Sequence, residues 1–271
     1  MSSARRFQRA ALLLGLSFLY LPIVSLVFYS FNASKLVSVW GGFSTRWYGE
    51  LLHDRAILEA AWLSLRIAAV NATCAVVLGT AAALGLARTP WLGGRALLRG
   101  LVGAPLVMPE VIMGLSTLLL FVALESAIGW PAGRGLLTIT LAHITFSMAF
   151  VTLVVQSRLA GQDHALEDAA MDLGASPLVA FLTVTLPLLA PAVIAGWLLA
   201  FTLSLDDLVI ASFVSGPGAT TLPMLIYSRV RLGLSPEVNA LAAVVIGLAM
   251  SVIGLAGWLL SRSPGQERGR D

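Results

Sequence analysis

The sequence predicts an all-α integral membrane protein with six transmembrane helices. Three observations support this class: 58% of the residues are hydrophobic, only 11% are charged, and six apolar runs are long enough to cross a bilayer. A soluble domain has about 25% charged residues. Because backbone polar groups in lipid must be bonded within the segment, each run is predicted to be a helix. The runs are 10–31, 60–87, 101–123, 136–157, 188–213 and 238–260.

The first run follows a basic start formed by Arg5, Arg6 and Arg9. A secretory signal peptide also begins with positive charge, but its apolar core is only about 7–15 residues long. The run 10–31 is longer than that, so we interpret it as an uncleaved first membrane helix.

The distribution of basic residues predicts the orientation, since Lys and Arg concentrate in cytoplasmic loops. The N-terminal side of the six-span arrangement holds ten arginines: Arg5, Arg6, Arg9, Arg88, Arg95, Arg99, Arg158, Arg262, Arg268 and Arg270. The opposite side holds six basic residues: Lys35, Arg46, Arg55, Arg134, Arg229 and Arg231. This bias places both termini in the cytoplasm.

The loop between the fourth and fifth runs reads RLAGQDHALEDAAMDLGASPLVAFLTVTLPLLAP, residues 158–191. Residues 163–173 have helical spacing of apolar and small residues, and Asp163 is a candidate cap. Gly174 stands where a helix ends in the left-handed conformation. Ser176 and Pro177 are typical of the start of a second helix. The loop is therefore predicted to be a helix, a glycine turn and a helix.

Two prolines follow this second helix. Pro187 is expected to break it at the membrane, and Pro191 is expected to kink or start the next span. From local chemistry alone, the small exposed alanines suit docking into a groove of another protein, and a simple re-entry turn between two spans remains equally open.

The loop resembles the EAA loop of inner-membrane permeases from binding-protein-dependent ABC importers. That pattern is Glu-Ala-Ala, three residues, Gly, nine residues, Ile, one residue and Leu-Pro. The matching residues are Asp168, Ala169, Ala170, Gly174, Val184, Leu186 and Pro187. Two of them depart mildly from the pattern, with Asp for Glu at 168 and Val for Ile at 184.

The resemblance implies a type I ABC importer permease fold over residues 60–257, with the EAA coupling loop at about 158–187. A first transmembrane helix and outer loop, 1–59, precede this domain, and a cytoplasmic tail, 258–271, follows it. In the family the loop couples to a separate ATP-binding subunit. The implied ATPase-coupling residues are Glu167, Asp168, Ala169, Ala170, Gly174, Leu186 and Pro187.

The chain itself is expected to bind no ATP and no other cofactor. A phosphate-binding P-loop needs a Gly-Lys-Ser/Thr sequence, and the one lysine, Lys35, has no such context. His53, His143 and His164 lack metal-ligand spacing, so no metal site is predicted. His143 is expected to be a packed polar residue. No enzyme signature is present, which predicts a non-catalytic subunit.

Three acids lie within the apolar runs: Glu110 near the middle of the third, and Asp206 and Asp207 in the fifth. Ionisable residues at such depth are substrate-path candidates. Three acids against one base, Arg66, suit a cationic solute. Two other interpretations stay open, namely an ion pair of Arg66 with an aspartate, and a solvated vestibule lined by the aspartates.

The segment FTLSLDDLVIASFVSGPGATTLPMLIYSRVRLG, residues 201–233, is similar to the permease subunits of polyamine importers. The resemblance implies a bacterial inner-membrane permease for putrescine. The implied partners are a second permease forming a heterodimer, two ATP-binding subunits, a periplasmic polyamine-binding protein and membrane lipid, without nucleic acid. The alternatives are a permease for spermidine or another small solute, an ion-coupled secondary carrier, and a non-transporting scaffold.

Overall fold

The computed structural model describes residues 2–36, 39–88, 94–163, 165–233 and 235–261. His164 and the predicted tail from residue 262 onward lie outside these ranges. Within them, the regular elements are all helical, which confirms the predicted all-α class. The helices are α1 (Ser2–Tyr29), α2 (Arg46–Leu51), α3 (Arg55–Arg88), α4 (Arg95–Val107), α5 (Glu110–Ile128), α6 (Leu136–Leu159), α7 (Ala165–Asp172), α8 (Pro177–Ala180), α9 (Leu186–Leu205), α10 (Val209–Val214), α11 (Leu222–Leu232) and α12 (Pro236–Ser261).

Five helical stretches in the described ranges are long and apolar enough to cross a membrane. They are α1, α3, α5, α6 and the continuous run Pro177–Leu205. The sixth predicted span corresponds to α12, which has 26 residues. Helices are expected here because their backbone polar groups are satisfied internally.

The third predicted span is not one continuous helix. It is divided into α4 and α5 at Met108 and Pro109, where Met108 has extended backbone angles. A residue before proline is sterically excluded from the helical region, and proline supplies no N–H to continue the ladder. Glu110 is therefore the first residue of α5 and does not lie inside one continuous helix, as the sequence had suggested.

The fifth predicted span also departs from a single helix. α9 ends at Leu205, residues 206–208 are non-helical, and α10 begins at Val209. At its other end, Pro187 does not break the helix as expected. A π-helical turn, Phe181–Thr185, joins α8 to α9, and the Leu186 N–H donates to the Phe181 carbonyl. The wider turn accommodates the proline ring and its missing N–H.

The helices form two compact units, residues 1–58 with 226–271, and residues 59–225. In the first unit, α12 packs on α1 and α2. Trp47 of α2 is buried and donates its indole N–H to the Asn32 carbonyl at 2.6 Å. The Tyr48 hydroxyl lies 2.6 Å from Ser30 Oγ. These bonds hold the loop after α1 against α2.

Arg229 joins α11 and α12 to the loop before α3 within the same unit. Its Nη2 donates to Asp54 Oδ2 at 2.6 Å, and its Nη1 lies 3.4 Å from Glu237 Oε2. Burial favours the neutral form of Asp54, but the hydrogen bonds from Arg229 and from the Ile57 and Ala56 backbone N–H groups outweigh it. The pKa of Asp54 consequently lies below its ordinary value.

In the second unit, α3, α6 and α9 meet at a buried asparagine. Asn71 donates through Nδ2 to Ser147 Oγ at 3.1 Å and to the Ala200 carbonyl at 2.9 Å. Small residues on α3 let the three helices approach closely, since Ala72 and Ala75 are fully buried in their shared apolar cluster. This packing fixes the positions of α6 and α9, which carry the loop between them and the acids that follow α9.

Gly79 lies where α3 and α6 approach closely. A Cβ at this position would lie 2.8 Å from Val151 Cβ and 2.9 Å from the Met148 carbonyl oxygen. We expect Gly79→Ala to destabilise the protein by about 1–3 kcal/mol, because the helices must separate to admit a methyl group. The measurement is the midpoint of thermal unfolding, Tm, of the purified protein in detergent.

Gly85→Ala is the matched control on the same helix, because a Cβ there meets no atom within 4 Å. Its Tm should stay the same or rise, since alanine favours a helix more than glycine does. Equal Tm values for the two variants would contradict the close approach at Gly79.

Candidate functional site

The loop between α6 and α9 folds as the sequence predicted. The Asp163 carboxylate accepts the Ala165 N–H at 3.0 Å and caps α7. Gly174 has a φ of +93°, the left-handed conformation that glycine adopts without strain. Ser176 Oγ accepts the Val179 N–H at 3.4 Å, and Pro177 is the first residue of α8. The helix, glycine turn and helix are confirmed.

The turn at Gly174 is closed by two backbone hydrogen bonds. The Ala175 N–H donates to the Ala170 carbonyl at 3.1 Å, and the Gly174 N–H donates to the Met171 carbonyl at 2.9 Å. This is the Schellman arrangement, in which a left-handed residue lets the last carbonyls of a helix be satisfied. The spacing from Ala170 to Gly174 is therefore a requirement of the backbone.

The α7–turn–α8 surface is apolar and exposed. Leu173 is 91% exposed and Leu178 is 67% exposed, and Leu166 and Val179 are exposed beside them. Asp168, Ala169 and Gly174 are also exposed, and Ala170 is half-buried. An exposed apolar patch with a charged residue in it is typical of a protein-binding surface.

Glu167 behaves differently from its neighbour Asp168. Its side chain is only 15% exposed, and its Oε2 accepts hydrogen bonds from Arg88 Nη2 at 2.6 Å and Thr185 Oγ1 at 2.8 Å. The carboxylate is thus bonded to α3 and to the π-helical turn. Leu186 and Pro187 follow that turn directly and begin α9.

The two aspartates after α9 are in different surroundings. The Asp207 side chain is 7% exposed, and its Oδ2 lies 3.1 Å from His143 Nε2. The same carboxylate accepts the backbone N–H groups of Ile210 at 3.3 Å and Ala211 at 2.7 Å. His143 is also bonded through Nδ1 to Ser204 Oγ at 2.7 Å. Asp207 therefore caps α10 and is tied to α6.

Asp206, in contrast, is exposed, and so is Glu110. Glu110 lies one helical turn before Gly114, which packs against Ile210 and Phe213 of α10. The two acids thus flank the same contact between α5 and α10. Since α9 has 20 residues, Asp206 lies about 30 Å along the helix from the loop between α6 and α9.

Arg66, the one basic residue inside a predicted span, is exposed. Among the described residues it forms no ion pair with an aspartate or glutamate, so the suggested Arg66–aspartate pair is absent there. The exposed negative charges at Asp206 and Glu110 are consequently not neutralised by it.

Comparison with known protein families identifies the family of this chain. The model of the binding-protein-dependent transport system inner membrane component matches residues 75–262. The chain belongs to this family. It is accordingly a multi-pass inner-membrane component of a transport system, which confirms the resemblance found in the EAA-like loop.

Individual members of this transport family are similar over nearly the whole chain. The putrescine transport system permease protein PotI of Escherichia coli (strain K12) is 60% identical over 260 residues, 96% of this chain and 92% of that protein. The spermidine/putrescine transport system permease protein PotC of the same strain is 40% identical over 246 residues, 91% of this chain and 90% of that protein. A solved bacterial ABC transporter that imports alginate has a TM-score of 0.72 at 16% identity and covers 96% of each chain. The ABC transporter permease fold is thus confirmed.

For this member of the transport family, sequence reasoning missed several partners. Arg88 and Thr185, which bond to Glu167, and Ser204, which bonds to His143, were not predicted as site residues, because these partners are 79, 18 and 61 residues apart along the chain. The expectation that His143 is a packed polar residue is confirmed. The cap at Asp207 had a local signal, since an aspartate shortly before an apolar run is a typical helix start.

Proposed function

We propose that this chain is the membrane-spanning permease subunit of an ATP-driven putrescine importer and forms half of the translocation pathway. One observation carries the proposal: 60% identity over 96% of the chain to a putrescine permease, against 40% to a spermidine/putrescine permease. The exposed acids support the same assignment independently.

Asp206 and Glu110 are the groups that we place on the substrate path. Both are exposed and lie beside interruptions of apolar helices, where backbone and side-chain polar groups line a watery cavity or protein rather than lipid. A carboxylate there attracts the ammonium group of an amine. Asp207 belongs to the same proposal as the residue that holds the interruption in shape, because its carboxylate already has three partners.

Energy is proposed to come from two separate ATP-binding subunits. Asp168, Ala169, Ala170 and Gly174 lie on the α7–turn–α8 surface that would dock into them, with Glu167, Leu186 and Pro187 connecting that surface to α9. ATP would be bound only by those partners, and this subunit would be non-catalytic, since it has no P-loop lysine.

The remaining partners follow from the transport class. We place the chain beside a second, related permease, below a periplasmic polyamine-binding protein, with both termini in the cytoplasm. A solved relative in the fold comparison is an alginate transporter in complex with its periplasmic protein, which supports a binding-protein partner. A secondary carrier is not favoured, because the family's systems depend on a binding protein.

Uptake of labelled putrescine tests the proposal. Cells that express the four partners with this chain should accumulate putrescine, and cells that lack this chain should not. Excess unlabelled spermidine should inhibit uptake only weakly if putrescine is the preferred solute. ATP depletion should stop uptake, whereas an ionophore that spares ATP should leave it largely intact.

Three results would change the assignment. Strong inhibition by spermidine would make the permease a spermidine subunit of the same class. Loss of uptake with the ionophore alone would indicate an ion-coupled carrier. Equal accumulation with and without the chain would indicate a membrane scaffold that takes no part in transport.

A further inference from the structure

Arg88, the last residue of α3, makes a connection that the family resemblance does not assign. Its Nη2 lies 2.6 Å from Glu167 Oε2 on the first turn of α7 and 3.4 Å from Thr185 Oγ1. Thr185 Oγ1 in turn donates to Glu167 Oε2 at 2.8 Å. The three side chains close a triangle of hydrogen bonds between α3, α7 and the start of α9.

The triangle is partly shielded from water. Thr185 is buried, Glu167 is 15% exposed, and Arg88 is 36% exposed. The Arg88 guanidinium also lies over the Phe181 ring, 5.6 Å from its centre. A charged pair with a shared hydroxyl and an aromatic face keeps one geometry better than an isolated surface pair does.

The triangle lies at the π-helical turn that precedes α9. Phe181 and Thr185 are the first and last residues of the π-helical turn that leads into α9. Single π-helical turns inside α-helices are frequent at functional sites. Among the described residues of α7, Glu167 is the side chain that is bonded to the spanning helices.

The two helices that the triangle reaches belong to the packed group of α3, α6 and α9. α3 continues for 34 residues from Arg55 to Arg88, and α9 begins directly after Thr185. Both meet again at Asn71, which bonds to Ser147 of α6 and to the Ala200 carbonyl of α9. A displacement of α7 would therefore act on two helices that are also bonded to each other at Asn71.

We propose that Arg88, Glu167 and Thr185 form a linkage that transmits the movement of α7 to α3 and α9. This inference rests on the proposed function, since it assumes that an ATP-binding subunit moves α7. Arg88 is a positioning residue in this linkage and touches neither ATP nor the transported amine. Glu167 then faces the membrane domain, while Asp168 faces the ATP-binding subunit.

The experiment uses the complete transporter, with its second permease, ATP-binding subunits and binding protein, in proteoliposomes. Putrescine taken up and ATP hydrolysed are measured together for the original chain, Arg88→Gln and Thr185→Val. We expect the transporter to assemble normally and to hydrolyse ATP, but Arg88→Gln should move about tenfold less putrescine per ATP, a size typical of coupling between two sites. Thr185→Val, which keeps the ion pair, should show a smaller loss in the same direction.

Reversing the charges of Arg88 and Glu167 distinguishes a role in coupling from a role in stability alone. Arg88→Glu and Glu167→Arg should each lose coupling, and the double variant should regain part of it, because the pair is restored in reverse. Arg99→Gln is the matched control, since Arg99 is an exposed arginine of α4 without a role in the linkage. Its putrescine-to-ATP ratio should equal that of the original chain.

An unchanged putrescine-to-ATP ratio in Arg88→Gln, or no recovery in the double variant, would overturn the linkage. If the Arg88→Gln protein does not accumulate in cells, the Thr185→Val variant provides the test. An unchanged putrescine-to-ATP ratio in Thr185→Val would then overturn the linkage. If the original transporter moves no putrescine, the proposed function fails instead. The linkage is then still tested by whether the binding protein stimulates ATP hydrolysis less in the variants.

Discussion

Gly174→Asp is expected to abolish putrescine uptake while the spanning helices stay folded. Gly174 has a φ of +93°, and an L-residue with a Cβ in this conformation costs about 1–2 kcal/mol. Leaving this conformation would break the two hydrogen bonds that close the turn and would change the angle between α7 and α8. The measurements are uptake and co-purification of the ATP-binding subunit.

Gly174→Asn is the matched comparison, because asparagine, like aspartate, is among the side chains that best tolerate the left-handed conformation, and it adds no charge. It should retain more uptake and more bound ATP-binding subunit than the aspartate variant. A Cβ at this position meets no atom within 4 Å, so a steric clash inside the chain is not the cause. If Gly174→Asp bound the ATP-binding subunit and transported normally, the assignment of the α7–turn–α8 surface would be wrong.

Replacing Asp207 is expected to lower the stability of the protein, whereas replacing the adjacent Asp206 is expected to weaken putrescine uptake. Asp207→Ala should destabilise the protein by about 3 kcal/mol, because His143 and two backbone N–H groups lose a buried partner. Asp207→Asn keeps one acceptor and should be milder. Unfolding in detergent, followed as Tm, measures both variants against the original chain.

Asp206→Asn should leave Tm unchanged, since this side chain is exposed. It should instead raise the putrescine concentration for half-maximal uptake by about fivefold, because an exposed charge pair contributes up to about 1 kcal/mol. Glu59→Gln, at an exposed acid of α3, is the control and should change neither quantity. A Tm loss in Asp206→Asn equal to that of Asp207→Ala would contradict the division of roles.

The loop between α6 and α9 was predictable because its signals are local. Asp163, Gly174, Ser176 and Pro177 each act on backbone groups within a few residues, and each does so in the structure. The consequence of Pro187 was not predictable in the same way. A proline breaks an α-helical ladder, but a preceding π-helical turn removes the conflict, and nothing in the local sequence specifies that turn.

For the membrane spans, too, some features were predictable from the local sequence and others were not. Their number and helical character follow from apolar run length, since lipid leaves the backbone no other way to satisfy its hydrogen bonds. The interruptions of the helices at Pro109 and at Asp206–Leu208 were not predicted, because both lie within continuous apolar runs and hydropathy does not depend on backbone direction. As a result, Glu110 was placed inside a continuous helix, whereas it begins α5.

The sequence by itself predicted the class of this protein. Composition and run length predicted six membrane spans, and turn chemistry predicted the helix, glycine turn and helix of the loop, since these signals act within one helix or one turn. The permease family came from the resemblance of that loop to the EAA pattern. Only the tertiary structure decided that the Asp207 side chain is buried against His143 while Asp206 is exposed, and that Glu167 bonds to Arg88. His143 is 64 residues from Asp207 and Arg88 is 79 residues from Glu167, so these partners meet only when the helices pack.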